Sequence, residues 1–402
     1  MQSISPSINA PLIEEEAVTT PTNYMVTGFR LRLVRFLIWI NIFYIACKEF
    51  KDPFKALKNL RQLRKLRNKY RANRSLHKYA KQDKLYYINY NTPGWPSAAF
   101  NRYVRHQLSR INGTSASIHT LIFAITKKCG FQCEHCCEWL NLNQPETLSR
   151  EDLSLVIHRF HSLGIAQVQL SGGEPLNRID DIYYLLENAP EDIDFWLYTT
   201  GYSLNHAKAK LLKKRGLTGI TISLDHHVEE KHNEFRGVKD AYDKALRAAR
   251  IAKEEGLLVC FSICATRSFI SETNLFEYAA LARDYGVSFI QLLEPKAVGH
   301  YAGKDVLLGK EHHQILELFY ETMNYDRDYA EWPSVVYHGY NNRHFGCSGS
   351  ANDYVYADTD GDIHNCPFCY RKHFSAFDED LPELLMKMKT RGCNALDTCT
   401  IK

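Results

Sequence analysis

The 402-residue sequence contains no run of 18 or more uncharged apolar residues, which excludes a chain built of membrane-spanning helices. A basic n-region leading into an apolar stretch is also missing. The first 29 residues are polar and include Glu14, Glu15 and Glu16, so no secretory signal is expected. Acids are scarce in the first quarter, where residues 1–110 hold 20 Lys and Arg against 6 Asp and Glu. That part carries +14, and since the whole chain carries +4, the other 292 residues carry −10. The asymmetry points to a basic arm that meets anionic material, joined to a mildly acidic body. At 45% hydrophobic and 24% charged residues, the composition excludes a disordered or fibrous chain and fits one large α/β domain with extensions.

Cysteine is abundant, and its twelve copies are clustered: four lie in Cys129–Cys137 and five between Cys347 and Cys399. Tight clusters in a long chain without a secretory signal favour metal binding over disulfides and a cytoplasmic location.

Residues 1–24 show no hydrophobic period and read as a mobile tail. Residues 25–110 read as an apolar and basic helical arm. Its apolar part, residues 36–47, is a 12-residue uncharged run flanked by Arg30, Arg32, Arg35, Lys48 and Lys51. Such a run spans roughly 18 Å, short of a ~30 Å hydrocarbon core. Residues 55–84 hold twelve Lys and Arg and one acid, Asp83, with Leu57, Leu60, Leu63 and Leu66 at helical spacing. This predicts a basic amphipathic helix, and the two segments together suggest a monotopic anchor at an anionic membrane surface. The competing reading packs the apolar run on the body. Nucleic acid is disfavoured, because only Tyr70 and Tyr79 interrupt the basic stretch. Residues 91–110, with Pro93, Gly94 and Pro96, read as a joint.

From residue 118, short apolar segments alternate with helical patterns. Strands are expected at 119–125, 166–170, 194–199, 219–224, 257–264 and 288–293, and helices at 149–163, 178–188, 205–215, 238–255 and 273–285. This alternation predicts an α/β fold with a six-stranded, parallel partial barrel over 111–340, and with its chemistry at the C-terminal strand ends.

Directly after the first strand, Cys129, Cys133 and Cys136 stand at C-x3-C-x2-C. Three thiolates from one loop can hold three irons of a cubane 4Fe–4S cluster and leave the fourth open to a small molecule. Zinc is the competing reading, with His135 and Cys137 at hand. At the end of the second strand comes Ser171-Gly172-Gly173-Glu174-Pro175, and after the fourth come Ser223-Leu224-Asp225 and, further on, Arg236-Gly237.

These motifs, in this order, resemble those of the radical S-adenosylmethionine (radical SAM) superfamily over about residues 118–372. The resemblance implies a cluster on Cys129, Cys133 and Cys136. It implies S-adenosylmethionine bound by Gly172, Gly173 and Glu174 at its amino group, by Ser223 and Asp225, by Arg236 at its carboxylate, and beside His135. It further implies reductive cleavage to a 5′-deoxyadenosyl radical that abstracts a hydrogen atom, with the electron coming from a flavodoxin- or ferredoxin-like donor.

In the last segment, 341–402, Cys347, Gly361, Cys366 and Cys369 follow a C-x13-G-x4-C-x2-C spacing. It resembles the auxiliary-cluster region (SPASM or twitch type) of the same superfamily. With five cysteines instead of seven, one auxiliary 4Fe–4S cluster is expected, on Cys347, Cys366, Cys369 and either Cys393 or Cys399; a structural zinc is the competing reading. Cys260 and Cys264 point to one strand face, and Cys264 is a candidate hydrogen-atom donor or else a core residue. The basic arm directs the substrate reading to a lipid or lipid-linked molecule at the inner face of the membrane. A ribosomal peptide substrate and a non-catalytic, metal-stabilised membrane adaptor are the alternatives.

Overall fold

The computed structural model describes residues 24–70, 74–111 and 118–391. The tail up to residue 23, and the candidate ligands Cys393 and Cys399, lie outside the described residues.

The N-terminal part runs β1 (Tyr24–Val26), α1 (Gly28–Phe50), α2 (Pro53–Tyr70), β2 (Tyr79–Gln82), β3 (Leu85–Tyr87) and α3 (Ala98–Ile111). The body follows with β4 (Thr120–Ala124), α4 (Arg150–Ser162), β5 (Gln167–Ser171), α5 (Ile179–Asn188), β6 (Asp194–Thr199), α6 (His206–Lys214), β7 (Leu217–Ser223), α7 (Glu229–Arg236) and α8 (Ala241–Glu254). Next come β8 (Leu258–Cys264), α9 (Glu272–Asp284), β9 (Phe289–Leu293), α10 (Lys310–Tyr325), β10 (Ser334–Tyr337) and α11 (His338–Phe345). The chain closes with β11 (Tyr354–Ala357), β12 (Asp362–His364), β13 (Phe374–Ser375) and α12 (Leu381–Arg391).

All six expected strands form, as β4 to β9, in sequential parallel order. The sheet is wider than expected. Strand β10 adds in parallel beside β9, β11 adds in parallel beside β4, and β12 and β13 continue antiparallel to give ten strands among the described residues. The helices start where local chemistry allows. Ser149 and Asp152 form a reciprocal capping box at α4, and Asn205 and Ser271 accept from the backbone at the starts of α6 and α9. Every residue of β8 is buried, as expected of a strand covered on both faces. The helices pack their apolar faces on the sheet around Leu121, Val168, Leu197, Ile220, Phe261 and Ile290.

The N-terminal arm differs from the expected pair of surface helices. The helix expected over 55–84 ends at Tyr70, and Tyr79–Gln82 is the central strand of a small antiparallel sheet with β1 and β3. Cross-strand pairing outweighs the charge-rich local composition there. Most of the expected joint is helix α3, because Phe100, Val104 and Leu108 recur at four-residue spacing and bury one face. Helix α1 buries Leu31, Val34, Ile38 and Ile45 against α2 and α3. One face of the apolar run is thus packed within the arm, not on the body as the competing reading had it, while the opposite face stays exposed. No described helix is long and apolar enough to cross a membrane.

The arm also closes one end of the half-barrel. Tyr87 and Tyr90 pack inside the sheet against Trp196, Leu258, Cys260 and Phe289. The Gln82 amide donates to the carbonyls of Thr218 and Gly256 at the starts of β7 and β8. The fully buried Lys78 ammonium donates to Tyr329 and Pro333 carbonyls at 2.7 and 3.0 Å, and burial pushes its pKa down to about 7. The cavity that remains runs from the arm helices at the N-terminal strand ends, past β4 and β5, to the loops at the C-terminal ends.

Candidate active site

The loop from β4 to α4 carries Cys129, Cys133 and Cys136. Its shape is fixed by side chains on both flanks. Asn143 donates to the Cys129 carbonyl at 3.0 Å and accepts from the Cys129 amide at 3.1 Å. Glu146 accepts from the Thr126 hydroxyl and the Lys127 amide. On the far side, the amides of Gln132 and Glu134 donate to the carbonyls of Arg236 and Phe235 at the end of α7. The three thiols share one small buried cluster with Phe131 and Ala241. Burial pushes the Cys129 thiol up to about 11 and the Cys136 thiol to about 12, so as free thiols they are protonated at neutral pH.

The glycine turn after β5 presses on this loop. A Cβ at Gly172 would stand 2.6 Å from the Thr126 carbonyl oxygen, and one at Gly173 would stand 2.5 Å from that of Lys128. Only glycine permits this approach, and Gly172 also has φ +135°. Both glycines line the main cavity. Glu174 does not. Its carboxylate is buried and already accepts four hydrogen bonds: from the Thr199 and Thr200 hydroxyls at 2.6 Å each, the Thr200 amide at 2.7 Å and the Leu176 amide at 3.0 Å. The sequence assigned this carboxylate to a ligand's ammonium; in the structure its oxygens hold Thr199 and Thr200, which line the cavity themselves.

Ser223, Asp225, Arg236 and His135 meet on the opposite wall. The Arg236 guanidinium is buried, donates to Asp225 Oδ2 at 2.5 Å from Nε, and reaches Cys133 Sγ at 3.4 Å. Asp225 Oδ1 accepts from the Cys264 amide at 2.9 Å. Burial alone would raise the Asp225 carboxyl, but the adjacent Arg236 charge holds it below its usual range. The His135 ring stacks on Phe235 at 5.0 Å, and burial pushes it down to about 4. Its Nδ1 is buried with no hydrogen-bond partner among the described residues.

The far side of the cavity holds groups that sequence reading passed over or left open. Cys264 lines it, while Cys260 packs into the plugged end, so the strand pair divides. Burial pushes the Cys264 thiol well above its usual pKa. Glu294 accepts from Tyr337 at 2.7 Å and from Arg343, with Lys296 at 3.2 Å. Burial opposes its ionisation, but Lys296 and Arg343 prevail and hold it down to about 2. His300 bonds the Cys136 carbonyl through its amide and the Cys133 carbonyl through Nδ1, both at 2.9 Å, and stacks on Trp139. No motif announced His300; its only sequence signal is its place in the loop after the sixth strand.

The C-terminal region joins the same site. Asp360-Gly361 forms the expected hairpin turn between β11 and β12, and Asp360 pairs with Lys127 at 2.6 Å, next to the cysteine loop. Tyr356 donates to Glu138 and Tyr370 to the Cys137 carbonyl. Cys347 and Cys366 line the cavity, and the Cys369 amide donates to the Cys366 carbonyl. Among the described residues, no three His, Cys, Asp or Glu side chains converge closely enough to hold a single metal ion.

Comparison with known proteins agrees with this fold. A family model described as the Radical SAM superfamily matches residues 123–268. The chain is 30% identical over 215 residues to a GTP 3′,8-cyclase of Campylobacter curvus, covering 52% of this chain and 64% of that one. It is 25% identical over 181 residues to a PqqA peptide cyclase of Gluconobacter oxydans, covering 45% and 50%. The chain thus spans half to under two thirds of the length of these relatives. Among solved structures, Streptococcus suis SuiB bound to its precursor peptide SuiA matches with TM-score 0.56 at 16% identity, covering 71% and 69% of the two chains. The anSMEcpe protein with bound AdoMet matches with TM-score 0.53 at 17% identity, covering 68% and 82%. These likenesses show a shared fold. With its parallel half-barrel, the chain is similar to the Radical SAM superfamily over the matched segment from β4 to just beyond β8.

Proposed function

We propose that the chain is an enzyme that reductively cleaves S-adenosylmethionine and abstracts a hydrogen atom from a substrate held in the same cavity. One observation carries this reading: the three cysteines, the glycine turn and the Asp225–Arg236 pair all line one space at the C-terminal strand ends. Cys129, Cys133 and Cys136 would hold the 4Fe–4S cluster. Gly172, Gly173, Ser223, Asp225, Arg236 and the unpartnered His135 Nδ1 would bind S-adenosylmethionine, with Glu174 setting the Thr199–Thr200 wall. Bound there, and given one electron from a flavodoxin- or ferredoxin-like donor, cluster and cofactor supply a 5′-deoxyadenosyl radical.

The chain's own residues position and protect. Arg236 keeps a positive charge against Cys133. Cys264, held as a thiol beside the cavity, is the candidate to return a hydrogen atom to substrate. Cys347, Cys366 and Cys369 would hold one auxiliary cluster facing the same space. The deciding experiment is anaerobic reconstitution of the full chain with S-adenosylmethionine and dithionite. Formation of 5′-deoxyadenosine is expected; none with a loaded cluster would leave the non-catalytic adaptor as the better account.

The substrate reading rests on α1. Phe29, Leu33, Phe36, Ile40, Phe43 and Tyr44 recur along its outer face and are exposed, Phe29 by 78%; Phe54 at the start of α2 is exposed by 82%. Exposed Lys48, Lys51, Lys55, Lys58, Arg61, Arg64 and Lys65 follow them in the chain, against the acids Glu49 and Asp52. An apolar stripe with a basic rim fits an anionic bilayer surface and favours a lipid or lipid-linked substrate there. A Phe36→Ser/Ile40→Ser variant is expected to sediment with phosphatidylserine-containing vesicles at least about tenfold less than wild type, since a buried large side chain contributes roughly 1.5–3 kcal/mol. Equal sedimentation would remove the membrane reading. A peptide substrate is the second reading, supported by the likeness to SuiB with its precursor peptide and to the PqqA peptide cyclase.

A further inference from the structure

The cavity has a volume of about 1380 Å³ and extends well beyond the two cysteine groups and the Asp225–Arg236 wall. From the cysteine loop it runs through the half-barrel past Gln169 and Gln291 to the underside of the N-terminal helices, at the strand starts. There the apolar part of its wall is Ile38, Trp39 and Ile42 of α1, Leu63 of α2, and Phe100 and Val104 of α3, with the uncharged amides of Gln62 and Gln107 beside them. The three arginines on the same walls are engaged elsewhere. Arg35 donates to the Leu76 carbonyl and lies over the Tyr79 ring, Arg74 pairs with Glu321, and Arg110 pairs with Asp353.

Apolar walls facing water are unfavourable, and an apolar ligand takes them out of water. Such a chamber is therefore stabilised by an apolar occupant. Helix α1 suggests which one. Its inner face, at Ile38 and Ile42, lines the chamber, while its outer face, at Phe36, Ile40 and Phe43, is the exposed stripe with the basic rim. One helix thus separates the chamber from the surface suited to anionic lipid headgroups. Resting on the radical SAM reading above, we propose that the chamber between α1, α2 and α3 binds the hydrocarbon chain of an amphipathic lipid substrate, whose remaining part extends toward the Cys129–Cys136 loop.

The test uses the full chain, without vesicles, titrated with the fluorescent polyene fatty acid cis-parinaric acid. Saturable binding is expected, with energy transfer from Trp39 to the bound probe. Ile42→Trp and Val104→Trp, which fill the chamber, are expected to weaken binding at least about tenfold, and Phe36→Ser on the outer face is expected to leave it unchanged. Trp39→Phe, which fills nothing, is expected to lower the energy transfer, and it decides the matter if the filled variants do not fold. Binding that is equal in the filled variants, or lost only in Phe36→Ser, overturns the proposal. So does displacement of the probe by an apolar peptide at lower concentration than by oleate, which gives the chamber to a peptide. Formation of 5′-deoxyadenosine in the same preparation is read separately. Its failure sinks the radical reading, while failure of probe binding alone sinks only the lipid chamber.

Discussion

Replacing Cys129, Cys133 and Cys136 together by alanine is expected to abolish 5′-deoxyadenosine formation while leaving the fold intact. The loop does not depend on its sulfurs for its shape. Asn143 holds Cys129 through its backbone, His300 holds the carbonyls of Cys133 and Cys136, and α7 holds the amides of Gln132 and Glu134. Alanine keeps all of these bonds. What it removes is every thiolate that could ligate iron, and a cluster without protein ligands has no seat. The measurement is paired: product formation, and iron and sulfide per chain after reconstitution. With one auxiliary cluster on the C-terminal cysteines, the triple variant is expected to keep about four of about eight irons. Full iron content with activity intact would show that the N-terminal triplet is not the reactive site. Loss of all iron would show that the cysteines after Cys347 hold none of their own.

The parts of this site that were legible in the sequence are those fixed by local chemistry. Three cysteines within eight residues and two glycines before an acid announce themselves, and strands β4 to β9 follow from short apolar segments between helical periods. What stayed hidden depends on distant pairing. Strands β10 and β11 are four residues each and are strands only because β9 and β4 offer them edges. Tyr79–Gln82 sits in a charge-rich stretch whose leucine spacing indicates helix, and only its pairing with β1 and β3 makes it a strand. Glu174 shows the same limit at the scale of one side chain. Its motif marks it as a site residue, but its partners Thr199 and Thr200 come from the end of the next strand and could not be named from the motif. The apolar run of α1 was read as either membrane-facing or packed; as a helix it has two faces, one buried within the arm and one exposed.

Arg236 is expected to have the second large effect, and it separates folding from cofactor binding. Arg236→Leu leaves the Asp225 carboxylate buried with the Cys264 amide as its remaining donor. Breaking a buried ion pair from one side costs about 3–5 kcal/mol, because the surviving charge is uncompensated. The urea midpoint is therefore expected to fall steeply at unchanged slope. Asp225→Asn in the same chain removes that stranded charge, so the double variant is expected to recover most of the stability. Its reactive site should not recover, because the guanidinium that reaches Cys133 Sγ at 3.4 Å is still missing. A thiolate ligand in this buried pocket has lost its neighbouring cation. Near-wild-type stability with cluster content and 5′-deoxyadenosine yield still depressed is the pattern expected of the double variant. If yield returns along with stability, Arg236 serves Asp225 alone and has no part in holding the cluster. If the single variant is as stable as wild type, the Asp225–Arg236 pair is not the buried, mutually dependent contact described here.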